Sequence, residues 1–231
     1  MESIEKYFAW LEQHCPDIAS ELHGSANSDR LDRLEEKVGF RLPEDVRGML
    51  GMRAGQQKCS ESCEECIGAI YGLYFLTPDE IAAEWDLWAD FRSDYTPDEL
   101  ADQFDRHEEV FAPDVVAKAY SKPGWIPLFR CPGRHDYFGV DLQPGELGQY
   151  GQVINFGRDE PKKYAAAASL DQFFAKLLSW GAREIPSRTI GAHEQVMKLF
   201  DTDDGALLFN RFYDLAEGQE PALHIPGDHL S

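Results

Sequence analysis

The stretch LEEKVGFRLPED, residues 34–45, decides the fold that we predict for this chain. An apolar stripe at helical spacing runs into its first half, and Ser28 upstream is placed to cap that helix. Gly39 suits the left-handed residue that often ends a helix. Pro43 then opens a second helix, whose first turn carries two acids at the positive end of the helix dipole. The stretch therefore predicts two helices joined by a tight corner.

Helical patterns also lie on both sides of this corner. Residues 3–15 carry apolar side chains at helical spacing, and Pro16 is expected to end that helix. The tetrapeptide TPDE at residues 77–80 is a capping box, and it recurs at residues 96–99. We expect each copy to open a helix, and a further short helix over residues 114–120.

Strand patterns dominate the middle of the chain. Four aromatic or β-branched runs, bounded by Gly and Pro, are typical of strands: residues 69–76, 125–129, 137–142 and 152–156. The turn signal QPGE at residues 143–146 predicts that the last two pair antiparallel. Pro127 would be tolerated in an edge strand or at a strand start. Ser169 with Gln172 then opens a buried helix that we expect to end before Gly181.

Helices, then strands, then helices indicate an α+β fold with a mostly antiparallel central sheet and helices packed around it. We expect one domain over residues 1–182, with an N-terminal helix and a cysteine-bearing insertion near residues 56–68. Residues 183–231 are predicted to be a C-terminal helical extension with a loosely held tail.

The amino-acid composition argues against some classes of function. The formal net charge is −20, from 22 basic and 42 acidic side chains, and such a field repels nucleic-acid phosphates and anionic membrane surfaces. Hydrophobic residues make up 43%, which supports a sizeable core. The acidic N-terminus is unlike a signal peptide, and no apolar run approaches about 18 residues. We therefore expect a cytoplasmic protein that binds neither nucleic acid nor membrane.

The order of these pieces resembles the SUKH superfamily, which contains the Knr/Smi-type cell-wall regulators and many bacterial immunity proteins. The resemblance rests on residues 34–45, similar to a family opening of the form E-x-x-x-G-x-x-L-P-x-D. It continues through the strand runs and the helix that Ser169 opens. The resemblance implies a binding module, and it brings no catalytic residues. Asp141, beside the turn at 143–146, is expected to bind backbone N–H groups.

Cys59, Cys63 and Cys66 place three of the five cysteines within eight residues. The spacing C-x3-C-x2-C matches that of three thiolates holding an iron–sulfur cluster, but the aromatic residue and the strand context usual for that site are missing. Structural zinc is an alternative that needs a fourth ligand from Cys131, His107 or His135. The remaining hypothesis is three reduced, unligated thiols, in which case the protein carries no cofactor.

Contiguous pairs of histidine with acids occur at His107-Glu108 and His135-Asp136. Cys131 and His135 could in addition form a thiol–imidazole dyad. Adjacent side chains on a strand or helix point apart, however. No phosphate-binding glycine loop and no nucleophile elbow are present in the sequence. The sequence therefore favours a protein that is not an enzyme.

The helix after residues 77–80 carries more large aromatic groups than one buried stripe needs: Trp85, Trp88, Phe91 and Tyr95. Core packing explains part of them, and a partner-binding face ringed by acids explains the rest. The leading hypothesis is a cytoplasmic immunity protein that neutralises a basic toxin. The alternatives are a regulatory scaffold like the fungal members of the superfamily, or a metal protein centred on the cysteines.

Overall fold

The computed structural model of the protein describes residues 1–57, 68–96, 98–100, 102, 109–110, 112, 114–131, 134–184 and 212. The helices whose bounds lie within these residues are α1 (Glu2–His14), α2 (Pro16–Ser20), α3 (Ser28–Val38), α4 (Glu44–Met52), α5 (Pro78–Ser93) and α6 (Leu170–Glu184), and residues 98–100, 102 and 212 are also helical. The strands are β1 (Tyr74–Phe75), β2 (Glu109–Val110), β3 (Trp125–Arg130), β4 (Asp136–Asp141), β5 (Gln152–Gly157), β6 (Lys162–Lys163) and β7 (Ala165–Ala167).

The central sheet has five strands in the order β1-β3-β4-β5-β7, and every neighbouring pair is antiparallel. Strands β2 and β6 form a separate parallel pair. The antiparallel pairing of β4 with β5 that the turn signal predicted is confirmed. Helices α1 and α6 pack together, and α5 lies against β3 and α3. The α+β architecture is therefore as predicted.

The corner at residues 34–45 forms as expected, with two shifts of cap. Gly39 ends α3 with φ of +76°, which a residue with a Cβ adopts at a cost. Asn27, rather than the predicted Ser28, caps α3, because its side chain accepts the Arg30 N–H at 2.9 Å. Pro43 lies one position before the helix, so α4 begins at Glu44. Each helix start therefore differs from the predicted position by one residue.

Three element predictions were wrong. The run over residues 69–76 pairs as a strand only at Tyr74 and Phe75, because Tyr71 and Gly72 adopt positive φ and form a turn. Residues 114–120 form turns instead of a helix. Helix α6 continues through Gly181 to Glu184, since glycine weakens a helix without necessarily ending it.

Pro127 lies in β3, which is an inner strand of the sheet. Strand β1 is so short that it pairs only with Phe129 and Arg130 and does not extend as far as Pro127, so on that side the residue is placed as at a sheet edge. On the other side Pro127 pairs with Gly139, and the register shifts between Pro127 and Phe129. A residue without a backbone N–H is tolerated at such a bulge.

Aromatic side chains form much of the core between the sheet and the helices α1 and α6. The ring centroids of Tyr7 and Phe174 lie 4.9 Å apart, and those of Phe129 and Phe174 lie 5.9 Å apart at nearly a right angle. The Tyr7 hydroxyl donates to the carbonyl of Ala69 at 2.8 Å, so this buried polar group is satisfied. These contacts pack α1 and α6 against the sheet, and the inner face of α5 packs against strand β3 of the same sheet.

Candidate functional site on helix α5

A capping box fixes the start of α5. The Thr77 side chain accepts the Glu80 N–H at 3.3 Å, and the Glu80 carboxylate accepts the Thr77 N–H at 2.8 Å. The prediction from residues 77–80 is thus confirmed. The second box repeats the geometry, with Thr96 and Glu99 making the same two bonds at 3.3 and 2.8 Å. Each box satisfies N–H groups that a helix start leaves unpaired.

The inner face of α5 is held to the sheet by a buried carboxylate. Glu84 accepts a hydrogen bond from Arg130 Nη1 at 2.5 Å and from the Tyr137 hydroxyl at 2.7 Å. Burial raises the pKa of Tyr137, and its hydrogen bond to Glu84 raises it further. Arg130 Nε is buried and makes no hydrogen bond within the described part of the chain. The Glu84 carboxylate therefore binds a guanidinium and a phenol, and a histidine lies at the rim of the cluster.

His135 lies at the rim of this cluster and does not act together with Asp136. Its Nδ1 is 3.3 Å from Glu84 Oε2 and 3.1 Å from the Tyr137 oxygen, and about half of the side chain is exposed. Asp136 turns the other way and accepts the Asp159 N–H at 2.9 Å. Burial raises the pKa of Asp136, and the neighbouring Asp159 charge adds to that effect. The contiguous His-Asp pair is therefore divided between two environments.

Cys131 and Asp141 have structural roles. Cys131 follows β3 and is buried, whereas His135 is half-exposed and lies just before β4. Asp141 accepts the Gln143 N–H at 2.9 Å and the Gln152 side-chain amide at 3.1 Å. The expectation that Asp141 binds backbone N–H groups beside the turn is confirmed. His107 and Glu108 lie outside the described residues.

Three of the four aromatic residues predicted to meet a partner lie in α5, and Tyr95 lies two residues beyond its end. Trp88 is 9% exposed and packs in the core. Trp85 donates from Nε1 to the Pro123 carbonyl at 2.8 Å, and the Arg92 guanidinium lies 5.7 Å from its ring centroid. Both tryptophans thus have partners within the fold, so neither is a free anchor on the outer surface.

Phe91 packs partly against the core, whereas Tyr95 is exposed two residues past the end of α5. Their ring centroids are 4.8 Å apart, and Tyr95 is 38% exposed. Leu87, one turn earlier, is 54% exposed. Leu87 and Phe91 are four positions apart on α5, and Tyr95 contacts Phe91 from beyond the helix end, so we call the three residues the α5 stripe. That spacing is the signal that would have found Leu87, had aromatic residues not been singled out.

Acidic residues flank the α5 stripe along its length. Asp86, Asp90 and Asp94 each precede one of its members, so they form a parallel row. Asp86 pairs with Lys37 at 2.8 Å, whereas Asp90 and Asp94 are exposed. The only basic residue of α5 is Arg92, whose pKa is lowered by burial and whose Nη1 donates to Ser121 at 2.8 Å. The outer face therefore combines apolar groups with negative charge.

Metal and membrane predictions meet the structure only in part. Cys59, Cys63 and Cys66 lie outside the described residues, so the zinc and iron–sulfur hypotheses stay predictions. Within the described residues, no three His, Cys, Asp or Glu side chains converge as metal ligands would. Nor does any helix among those residues have the length and apolar character needed to cross a bilayer.

An antiparallel sheet framed by α1 and α6, with a corner at Gly39 and a capped α5 across β3, is the architecture expected of a SUKH domain. The sequence model of the SMI1 / KNR4 family (SUKH-1) matches residues 25–176, and the chain belongs to that family. The resemblance predicted from the motifs is thus confirmed.

Several relatives carry regulatory names. The chain is 34% identical to the "Cell wall biosynthesis/cell cycle regulator smi1" of Schizosaccharomyces pombe, over 75% of this chain and 34% of that protein. It is 29% identical to a "Glucan synthesis regulatory protein" of Neurospora crassa, over 75% and 36%. Its identity to the "Cell wall assembly regulator SMI1" of Saccharomyces cerevisiae is 26%, over 71% and 37%. The matched part is about a third of the length of these relatives.

Proposed function

We propose that this chain is a non-enzymatic, intracellular protein-binding module that acts as a regulatory scaffold. Membership of the SMI1 / KNR4 family and the regulatory names of its relatives support this proposal. The names of these relatives favour a regulatory scaffold. They say nothing about the neutralisation of a toxin. The observation that carries a binding role is the α5 stripe, an apolar row at the C-terminal end of α5 in which Leu87 and Tyr95 are exposed.

The α5 stripe has the composition of a small interface core. Tyrosine and phenylalanine are enriched where proteins meet, since their large rings lose little conformational entropy on binding. Leu87 and Tyr95 offer apolar surface that the fold itself does not cover. Glu84 and the capping box of Thr77 fix α5 from its inner face and its start, so the helical part of the stripe is presented in one orientation. A fixed stripe lowers the entropic cost of association.

The charge around the α5 stripe indicates the chemistry of the partner. Asp90 and Asp94 border it, and the whole chain carries a formal charge of −20. A surface of that sign accelerates encounter with a basic segment and repels an acidic one. We therefore propose a partner segment with one or two apolar anchors flanked by lysine or arginine. Its association should weaken at high salt because the exposed charges are screened.

A capture experiment with matched variants tests the proposal. The immobilised protein is compared with the double variant L87E/Y95E and with L147E, which changes a residue that is 73% exposed elsewhere on the surface. We expect the wild type and L147E to retain the same proteins from a cell lysate, and we expect L87E/Y95E to lose them. Equal retention by all three, with all three folded, would exclude the α5 stripe as the binding face.

The immunity hypothesis calls for a separate readout. If the chain neutralised a basic toxin, its co-expression would restore the growth of cells that produce this toxin, and L87E/Y95E would remove that protection. A scaffold instead binds a partner whose activity it organises, and no growth rescue from a toxin is expected. The two experiments share their variants, so one set of proteins separates both hypotheses.

A further inference from the structure

Phe212 is buried against the domain although it lies far beyond α6 in the chain. It is 1% exposed, and its ring lies parallel to that of Phe173, with centroids 4.9 Å apart and an interplanar angle of 11°. A second contact joins it to Phe138 of β4, at 5.2 Å. Residues 185–211 separate Phe212 from the end of α6, so this contact bridges a long stretch of chain.

The domain supplies a socket for this ring. Phe173 of α6 is also nearly parallel to Phe129 of β3, at 5.8 Å and 12°, so Phe212 joins a group of three near-parallel rings. The Lys176 ammonium lies 5.7 Å from the Phe212 centroid, within the range of a cation–π contact. Lys176 also donates to the Ala166 carbonyl. We call Phe138, Phe173 and Lys176 the β4/α6 socket.

The β4/α6 socket belongs to the family domain, whereas Phe212 does not. All three socket residues lie within the family match at residues 25–176, and Phe212 lies outside it. The socket walls also have supports of their own, since Phe173 stacks on Phe129 and Phe138 packs against Tyr164 at 6.4 Å. Removal of Phe212 would therefore uncover apolar surface without removing what holds the socket in place.

We propose that the β4/α6 socket is a binding site for a segment anchored by an aromatic side chain, and that the chain's own C-terminal region occupies it through Phe212. The occupant is joined to the domain, so its effective concentration is high and the site stays filled in the free protein. A segment from another protein would have to present an aromatic anchor of its own and displace Phe212. The socket is distinct from the α5 stripe and does not depend on it.

Peptide binding in trans tests the proposal. A fluorescently labelled peptide of residues 205–219 is titrated into the full-length wild type, F212L and F212A, with anisotropy as the signal. We expect no binding to wild type, weak binding to F212L and the strongest binding to F212A, in the order in which the anchor is lost. The same peptide with alanine in place of Phe212 should bind F212A at least about tenfold more weakly.

Two outcomes would overturn the proposal. If F212A loses its far-ultraviolet circular dichroism or its cooperative unfolding, Phe212 is an obligate part of the core and not a docked anchor. If F212A and F212L are folded but the peptide binds neither, or binds wild type equally well, the socket does not accept a segment in trans. L147A serves as the folded control, and it should behave as wild type because Leu147 is exposed.

Discussion

The Glu84 carboxylate on α5 and the Arg130 guanidinium on β3 form an ion pair with an oxygen–nitrogen distance of 2.5 Å. The Glu84 side chain is 7% exposed and that of Arg130 is 21% exposed, so the pair is largely removed from water. Such a pair contributes little net stability but is costly to break, because the remaining charge stays buried. It joins the inner face of α5 to the sheet.

Replacement of Glu84 by glutamine should destabilise the protein strongly. The amide leaves Arg130 without its counter-charge, and breaking a buried pair costs about 3–5 kcal/mol, of which we expect the lower end because Arg130 retains some contact with water. Urea unfolding, followed by fluorescence, measures the change in the free energy of unfolding. The double variant E84M/R130M should lose less than E84Q, since no unpaired charge remains.

The matched control for this prediction is the surface pair of Asp86 with Lys37, at 2.8 Å. Both of its side chains are nearly half exposed, and such pairs contribute about 0–1 kcal/mol. D86N should therefore change the free energy of unfolding by well under half of the E84Q effect. Similar losses in D86N and E84Q would contradict the burial argument.

The capping box at the start of α5 predicts a second stability effect. Replacement of Thr77 by alanine removes the acceptor for the Glu80 N–H, and loss of such a cap costs about 1 kcal/mol. T77S keeps the hydroxyl and should restore most of that loss. T96A removes the same group from the exposed box at residues 96–99, and we expect a smaller effect there. Thermal unfolding of the three variants measures the difference.

Local chemistry explains which parts of the fold the sequence predicted. The capping box at Thr77 and the left-handed Gly39 depend on residues within four positions of one another. Their geometry follows from backbone hydrogen bonds and the freedom of glycine, and both can be recognised in a short window. The strands β3, β4 and β5 were predicted from short aromatic or β-branched runs, which are also local patterns.

Contacts between distant residues explain what the sequence could not predict. Glu84 and Arg130 are 46 positions apart, and neither pattern around them indicates the other. The exposure of Leu87 depends on where β3 and α3 meet α5, which periodicity alone does not determine. Phe212 lies in a region predicted to be a separate extension, yet its ring completes a stack with Phe173. Only the tertiary structure brings such residues together.

Asp136 predicts a pH dependence of stability. Burial raises its pKa in the folded state, so between the unfolded pKa of about 3.9 and the raised value the folded protein binds more protons. Its contribution to stability is therefore present below about pH 3.9 and is lost as the pH rises through the folded pKa. D136N, which has no such ionisation, should gain stability relative to wild type over that window.

Chemical denaturation of D136N and wild type at several pH values measures this difference. The exposed Asp90 supplies the control, and D90N should not show a gain of this origin. A D136N–wild-type difference that is flat with pH, or that falls as the pH rises, would contradict the assignment. The Asp159 N–H retains its acceptor in D136N, because the amide oxygen can replace the carboxylate oxygen.

Thiol titration tests the cysteines in the native protein. Cys15 and Cys131 are buried, and burial raises the pKa of Cys15 to about 11, so its reactive thiolate is scarce at neutral pH. Of the five cysteines, at most three should react with a thiol reagent before unfolding, and all five afterwards. If zinc is bound by Cys59, Cys63 and Cys66, fewer than three react until a chelator is added. Rapid reaction of four or five native thiols would contradict the burial of Cys15 and Cys131.

The two faces of α5 should respond differently to truncation. Trp88 is 9% exposed and packs beside Phe91 and Tyr120, at 5.8 and 5.9 Å between ring centroids, so W88A should cost about 3–5 kcal/mol. Leu87 is 54% exposed, and L87A should change the free energy of unfolding by no more than about 0.5 kcal/mol. Urea unfolding of both variants gives the comparison. A loss in L87A that approaches that of W88A would mean that the α5 stripe is already covered within the chain, and it would then be unavailable to a partner.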